Sequence, residues 1–433
     1  LLRRGTVNKT DWLIVDRFGG SERGRIVMPG RTSLPVSTQY RMVGHFMPVG
    51  SPAQLNGISL LEHHDESPLW QLRFPRVTSH ELIEAGPATP SVCVFQTKKH
   101  LIGVHPANGQ VRWRKSDLDL SSGVYVDKEA GLFGDEDILV MFHADQRSWT
   151  KLSTKTGEVL ERGTLDVEFR YLRYVFGRKL FHVMKNRPDQ PRKRIRIWDP
   201  RANRFDFDEQ VDGRFYVSRT TDNRLLALLM PDPVKVKHEE DERVLIYGRL
   251  RVFEMPNVNC IADVRLTPDQ MEGVSALRIF ADEDTLFVNT QRTVNLAAQQ
   301  KYHYLATDSA LPADHVQQGS LIALDRATGQ VLWGQHCRQR TFLRLEQTRL
   351  PFLVSLSRVR PRNRTNIHGI ELEAVDRRTG EILGFHTQLI PDRFVHARMD
   401  REKGLLQLFG LMSRVDLDFS QQTQRILLEQ QPL

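Results

Sequence analysis

The stretch SLIALDRATGQVLWGQHC, residues 320–337, decides the fold. Leu321 to Asp325 alternate apolar and small residues, Thr328 and Gly329 mark a turn, and Val331 to Trp333 open a return strand. A tight β turn often needs φ > 0, which a residue without Cβ adopts at little steric cost, so the glycine has a physical task. Whether this is one hairpin or one copy of a repeating unit depends on the rest of the chain.

The same order recurs in LIGVHPANGQVRW, residues 101–113, with Asn108, Gly109 and Trp113 in register with Thr328, Gly329 and Trp333. LEAVDRRTGEILG repeats it with Asp376, Thr379 and Gly380, Gly384 taking the tryptophan place; TKLSTKTGEVLE repeats it with Thr156 and Gly157, Glu161 taking that place. Weaker copies are RIWDPRANRFDF, with Asp199, Asn203 and Phe207, and ISLLEHHDESPLW, which keeps Trp70 without the glycine. LRVFEMPNVNCIA and RVDLDFSQQTQRI retain only the strand, turn, strand rhythm. The copies end at 70, 113, 161, 207, 262, 333, 384 and 426, a period near the roughly 40–50 residues of a four-stranded propeller blade. Short apolar runs lie between them, among them DILVMF (137–142), KLFHVM (179–184), RLLALLM (224–230), TLFVNT (285–290), FLVSLS (352–357) and LLQLFG (405–410), while helical periodicity is nearly absent.

The pattern A-x-D-x-x-T-G-x-x-x-W, carried by Ala323, Asp325, Thr328, Gly329 and Trp333, resembles the tryptophan-docking motif of the PQQ-like β-propeller repeat family. Spaced copies extend the resemblance over roughly residues 45–433. The expected fold is therefore all-β, a β-propeller of four-stranded antiparallel blades, eight in number with seven as the alternative. Residues 46–433 form the propeller, and residues 1–45 are a lead that supplies a closing outer strand or ends a preceding domain. The family contains eight-bladed quinoprotein alcohol and glucose dehydrogenases. It also contains non-catalytic members, such as the propeller lipoprotein of the bacterial outer-membrane protein assembly machinery.

Composition limits the alternatives. The chain has 433 residues, 40% of them apolar and 26% charged, with 21 Phe, 6 Trp and 8 Tyr, enough to fill a large core. The net charge of +8 is small for this length and is spread among acidic residues, so no nucleic-acid partner is expected. Cys93, Cys260 and Cys337 form no CxxC and leave an odd count, which reads as buried thiols rather than a disulfide framework or thiolate metal site. No apolar run approaches the ~18 residues needed to span a bilayer. LLRRGTVNKTDW lacks a stretch of signal-peptide length, and Leu1 in place of methionine reads as the start of a processed or excised segment.

A quinoprotein dehydrogenase needs a stacked cofactor, a calcium held by hard oxygen ligands and a carboxylate base. No residue here is assigned to those roles by motif, and the adjacent cysteine pair and a CxxCH haem site are missing. EHHDE (62–66) reads as a solvated turn, because neighbours in an extended segment point to opposite faces. Walker, G-x-G-x-x-G and nucleophile-elbow patterns do not occur. The insertion at 295–318 is long enough to cap a propeller face or touch a partner. The charged stretches at 185–196, 234–243 and 358–366 read as solvated loops.

The resemblance thus implies a non-catalytic bacterial member. The expectation is a monomeric propeller scaffold in the periplasm or cell envelope, without cofactor, that binds a protein or envelope partner through its loops. The alternative is a dehydrogenase using PQQ and Ca²⁺ to oxidise an alcohol or sugar.

Overall fold

The alternating runs fold as antiparallel ladders in a computed structural model whose one helix among the described residues is Pro268–Met271. The structure describes the backbone of residues 2–432 except 7–8, 16–21, 30, 38–40, 48–51, 60–64, 67, 79–81, 98–99, 117, 119–131, 144, 146, 166–172, 186–191, 221, 239–240, 293–312, 317–318, 338–339, 344–349, 360–368, 389–395, 401, 410–412 and 421–426; its described side chains lie within 54–420.

Eight successive antiparallel sheets give the propeller architecture its blades, spanning 31–78, 82–115, 132–164, 173–212, 216–266, 274–337, 340–388 and 396–432. Each has four strands in sequence order, and the seventh gains a fifth, Ala313–Val316, beside Arg340–Leu343. That added strand is the described part of the 295–318 insertion; residues 295–312 and 317–318 lie outside the described residues. Repeat ends 70, 113, 161, 207, 262, 333 and 384 all fall on the fourth strand of a blade, while 426 lies outside the described residues. The first blade starts at Arg31, within the 1–45 lead, and a further sheet joins Leu2–Thr6, Lys9–Val15 and Glu22–Pro29 to a parallel strand, Asp65–Glu66. Two compact units divide the chain, 1–16 with 21–212 and 17–20 with 213–433. Each contains four blades.

The repeat motif is a joint between neighbouring blades. In the first unit, Trp113 leaves the second blade and donates its indole N–H to the Thr154 carbonyl of the third at 2.8 Å. Trp70 does the same from the first blade to Pro106 of the second, also at 2.8 Å. In the second unit Trp333 of the sixth blade donates to Arg377 of the seventh at 2.7 Å. Every acceptor lies three residues before the turn glycine or its equivalent, which fixes how far one blade overlaps the next. The indole also needs a small residue beneath it: Gly57, Gly103 and Ala323 are the cross-strand partners of Trp70, Trp113 and Trp333.

The glycine of the turn is required twice over. Gly157 has φ +70°, and a Cβ there would come within 2.7 Å of the Trp113 ring; Gly109, Gly329 and Gly380 hold the same place with positive φ. The motif aspartate closes the turn by accepting backbone N–H groups, an Asx turn. Asp325 accepts from Ala327 and Thr328, Asp376 from Arg378 and Thr379, and Asp199 from Arg201. Thr328 adds its hydroxyl to Asp325 at 2.8 Å.

Where tryptophan is missing, the joint is made by other means. In the third blade Glu161 stands in the tryptophan place, and its cross-strand partner is Lys151 rather than glycine. The two form an ion pair, and Lys151 Nζ donates to the Pro200 carbonyl of the fourth blade at 3.1 Å. Pro200 holds the turn position equivalent to Pro106, Thr154 and Arg377, so an ammonium performs the hydrogen bonding of an indole. Glu161→Trp alone is expected to destabilise, because Lys151 occupies the floor the ring needs. Combining it with Lys151→Gly should restore stability, read as a favourable coupling of about 1 kcal/mol or more in a double-mutant cycle by urea unfolding.

Ion pairs reinforce these joints. Arg178 of the fourth blade donates to Asp135 of the third at 2.9 Å and to Asp199 at 3.4 Å; Arg377 of the seventh pairs with Asp282 of the sixth at 3.0 Å. Burial pushes the Asp135 carboxyl upward, but the Ile138 N–H, Arg178 and the Asp137 N–H together hold it below the ordinary aspartate range. A depressed folded pKa stabilises above the unfolded value and loses that effect as pH falls through the folded one. The urea midpoint should therefore fall from about pH 5 to about pH 3, and less steeply in Asp135→Asn.

Candidate interaction surface

The fifth blade departs from the repeat. Its second and third strands, Leu225–His238 and Asp241–Glu254, are 14 residues each, whereas its outer strands, Tyr216–Arg219 and Asn259–Leu266, have four and eight. The two long strands stay in register from Leu225↔Glu254 to His238↔Asp241. Their flanking strands stop early: Tyr216 pairs with Leu229, and Leu266 with Gly248. Beyond Met230 and Gly248 the hairpin runs as a two-stranded arm with no further ladder partner among the described residues.

The sequence explains the change. LLALLM, 225–230, is buried on both faces, as a blade strand must be. PDPVKVKH then alternates polar and apolar residues, and its prolines lie where the outer edge of the strand has no ladder partner among the described residues, a place in which proline is tolerated. On the returning strand Val244, Leu245 and Ile246 are 57%, 37% and 53% exposed, three consecutive apolar side chains facing solvent on both sides of the arm. Isolated exposed apolar residues are ordinary, whereas a contiguous set on a projecting strand marks an association surface.

The base of the arm is held rigidly. The helix Pro268–Met271 is fixed by a capping box between Thr267 and Gln270, and Met271 lies over Gly248, where no Cβ would fit. The Arg265 guanidinium sits 4.1 Å from the Tyr247 ring centre and pairs with Asp232 at 3.2 Å. Arg249 donates twice to Asp263, at 2.9 and 2.7 Å. That pairing, with Arg251, holds the Asp263 carboxyl below its ordinary value against the opposing effect of burial.

The stretch 234–243 is therefore mainly strand in this arm, a correction to its reading as a solvated loop between strands. In 185–196, residues 186–191 lie outside the described residues, and Arg194 and Arg196 both pair with Asp208. Of 358–366, Arg358 and Val359 end a strand and the rest lies outside the described residues, as do residues 62–64 of EHHDE.

The cysteines divide in two. Cys93 and Cys337 are buried, and burial pushes each thiol up to about 12. Cys260 is exposed, a correction to its reading as a buried thiol; desolvation first and then Asp263 still raise its pKa. Iodoacetamide should alkylate Cys260 in the folded protein and spare the other two, as peptide mass spectrometry will show.

The motif residues singled out in the sequence are brought together in blade joints rather than around a ligand. Ala323 and Trp333 pair across strands. Asp325, Thr328 and Gly329 form the turn of the sixth blade, as Asp376, Thr379 and Gly380 do in the seventh. Phe207 pairs with Ile197 behind the Asp199 turn. Among the described residues no three His, Cys, Asp or Glu side chains gather as a metal site, so none is assigned to hold calcium. No helix among them is long and apolar enough to cross a membrane.

No protein-family model and no curated protein matches the chain. Among solved structures it is similar to BamB from Moraxella catarrhalis, at 11% identity over 92% of this chain and 95% of that one, with a TM-score of 0.34. It is also similar to the WD40 domain of SCAP from fission yeast, at 6% identity over 92% and 96%, with a TM-score of 0.40. A third is the dihydro-heme d1 dehydrogenase NirN in complex with DHE, at 10% identity over 93% and 75%, with a TM-score of 0.35. Likenesses at this level carry no functional argument, and the account below rests on the strands and their joints.

Proposed function

We propose that the chain is a non-catalytic β-propeller interaction domain of PQQ-like repeats, acting in a bacterial periplasm or cell envelope without a cofactor. In this reading the blades provide a rigid platform, and the arm formed by residues 231–247 makes contact with a protein partner. The observation that carries the reading is the exposed Val244, Leu245 and Ile246 on a strand whose outer edge has no ladder partner among the described residues. The repeat resemblance supports the envelope assignment, and no residue is assigned to the dehydrogenase alternative.

A photo-crosslinking amino acid in place of Ile246 tests this in cells, with the same substitution at Leu160, a 52% exposed residue of the third blade, as control. The expected result is a discrete protein adduct from position 246 and none from 160. Equal labelling, or none at 246, would overturn the reading.

A further inference from the structure

We infer that the joint between the first and second blades is a chemical latch: a seated Trp70 keeps Asn56 and Asn108 from modification, and release of its ring lets both convert to isoaspartate. The inference goes beyond the interaction reading and does not depend on it.

Asn56–Gly57 and Asn108–Gly109 are the only Asn–Gly pairs in the chain. Asparagine before glycine is prone to cyclise, because the following residue has no side chain to hinder its backbone nitrogen. That nitrogen, after losing its proton to a solvent base, attacks the asparagine Cγ. The bond from Cγ to the side-chain nitrogen breaks, ammonia leaves, and a succinimide remains. Water then adds to one of the two ring carbonyls and opens the ring to aspartate or isoaspartate.

Both pairs meet at one indole. Gly57 is the cross-strand partner of Trp70, and a Cβ on it would strike the ring at Cε2 and Nε1. Gly109 has φ +72°, and a Cβ there would come within 2.5 Å of Cε3 of the same ring. The Trp70 indole N–H is fixed on the Pro106 carbonyl of the same turn at 2.8 Å. The glycines that make the two asparagines reactive are thus the residues that give the ring its room.

The closed joint holds each pair back by its own means. Asn56 is fully buried, its strand Pro52–Ser59 is paired on both edges, and its Oδ1 accepts from Gln54 Nε2 at 2.7 Å, so solvent base and water are kept out. Asn108 is exposed, but the Gly109 N–H that must lose its proton is donated to the His105 carbonyl at 2.9 Å. Asn108 Oδ1 accepts from the Gln110 N–H at 3.1 Å, and both bonds must break before Cγ reaches the Gly109 nitrogen. Isoaspartate adds a methylene to the backbone, so the short turn cannot close again on Trp70. Thr156, Thr328 and Thr379 hold the place of Asn108 in other blades and cannot cyclise.

Peptide mass spectrometry of the chain aged in mildly alkaline buffer tests this, with the urea-unfolded chain as reference. In the folded protein both asparagines should convert at least about tenfold more slowly than in urea, because cyclisation waits for local opening. Trp70→Ala should bring both rates close to the unfolded values, and Trp70→Phe, which keeps a ring and loses the hydrogen bond to Pro106, should raise them less. Trp333→Ala opens a joint without an Asn–Gly pair and should leave both slow; urea midpoints will show that the variants fold. Chains aged in urea should refold in falling yield as isoaspartate accumulates, and Asn108→Thr should slow that fall. Equal rates in folded and unfolded chains, Trp70 variants no faster than Trp333→Ala, or refolding indifferent to isoaspartate would each overturn the inference.

Discussion

Trp113→Ala is expected to lower unfolding stability by about 3–5 kcal/mol, measured by urea unfolding, the range for removing a large aromatic from a packed site. The side chain is 8% exposed and belongs to a cluster with Val94, Leu101, Leu139 and Leu152, drawn from both blades it joins. Gly103 lies beneath its ring and Gly157 against its other face, so neither neighbour has a side chain able to collapse into the space. Removal also leaves the Thr154 carbonyl without the indole N–H it accepts at 2.8 Å. Trp113→Phe should retain most of the packing and lose about 1 kcal/mol with that hydrogen bond. A loss below about 1 kcal/mol for the alanine variant would mean that the joint does not hold the blades together.

Gly329→Val is the second large effect, at about 3 kcal/mol or more, the sum of a left-handed backbone forced on a β-branched residue and an overpacked joint. Gly329 has φ +70°, and a Cβ there would strike the Ile261 carbonyl oxygen and approach the Ala262 Cα at 2.9 Å. Both obstructing atoms belong to the backbone of the fifth blade and cannot rotate away as a side chain would. Gly177→Ala separates the two causes: its φ is +58° but nothing lies within 4 Å of the added carbon, so only conformational strain is expected, about 1–2 kcal/mol. Equal losses for the two variants would place the whole cost in the turn and none in the contact between blades.

The blade rhythm was legible in the sequence because the turn chemistry is local. Asp325, Thr328 and Gly329 sit within five residues, and each has a task that depends on residue type: accepting turn N–H groups, adding a hydroxyl, and adopting positive φ. The partner of Trp333 was not legible, since Arg377 offers a backbone carbonyl and any residue has one. The same reason concealed Lys151. Its cross-strand position opposite Glu161 follows from the register, but its reach to Pro200 of the next blade is a property of the packed pair.

The arm was missed through its charges. VKVKHEEDER reads as solvated because five acids and bases crowd its second half. The structural signal was the alternation VKVK before the acids and VLIY after the arginine, two strand patterns about one turn. Cys260 is hidden by a different feature: alternation along NCIADVRL would put it on the covered face with Ala262 and Leu266, but the register shifts by one residue between Val252↔Ala262 and Phe253↔Cys260. The cysteine therefore falls on the exposed side.

In the proposed reading the chain is a non-catalytic scaffold, its distinctive chemistry lying in the blade joints and its contact surface on the fifth-blade arm. The most direct test of that central claim is a titration of the purified protein with PQQ and Ca²⁺, followed by absorbance and tryptophan fluorescence, with dye-linked alcohol and sugar oxidation assayed on the same sample. The account predicts no saturable change and no turnover at cofactor concentrations on the order of 100 μM, well above what a catalytic site requires. Saturable binding with oxidation of an alcohol or sugar would contradict it and make the chain a quinoprotein dehydrogenase.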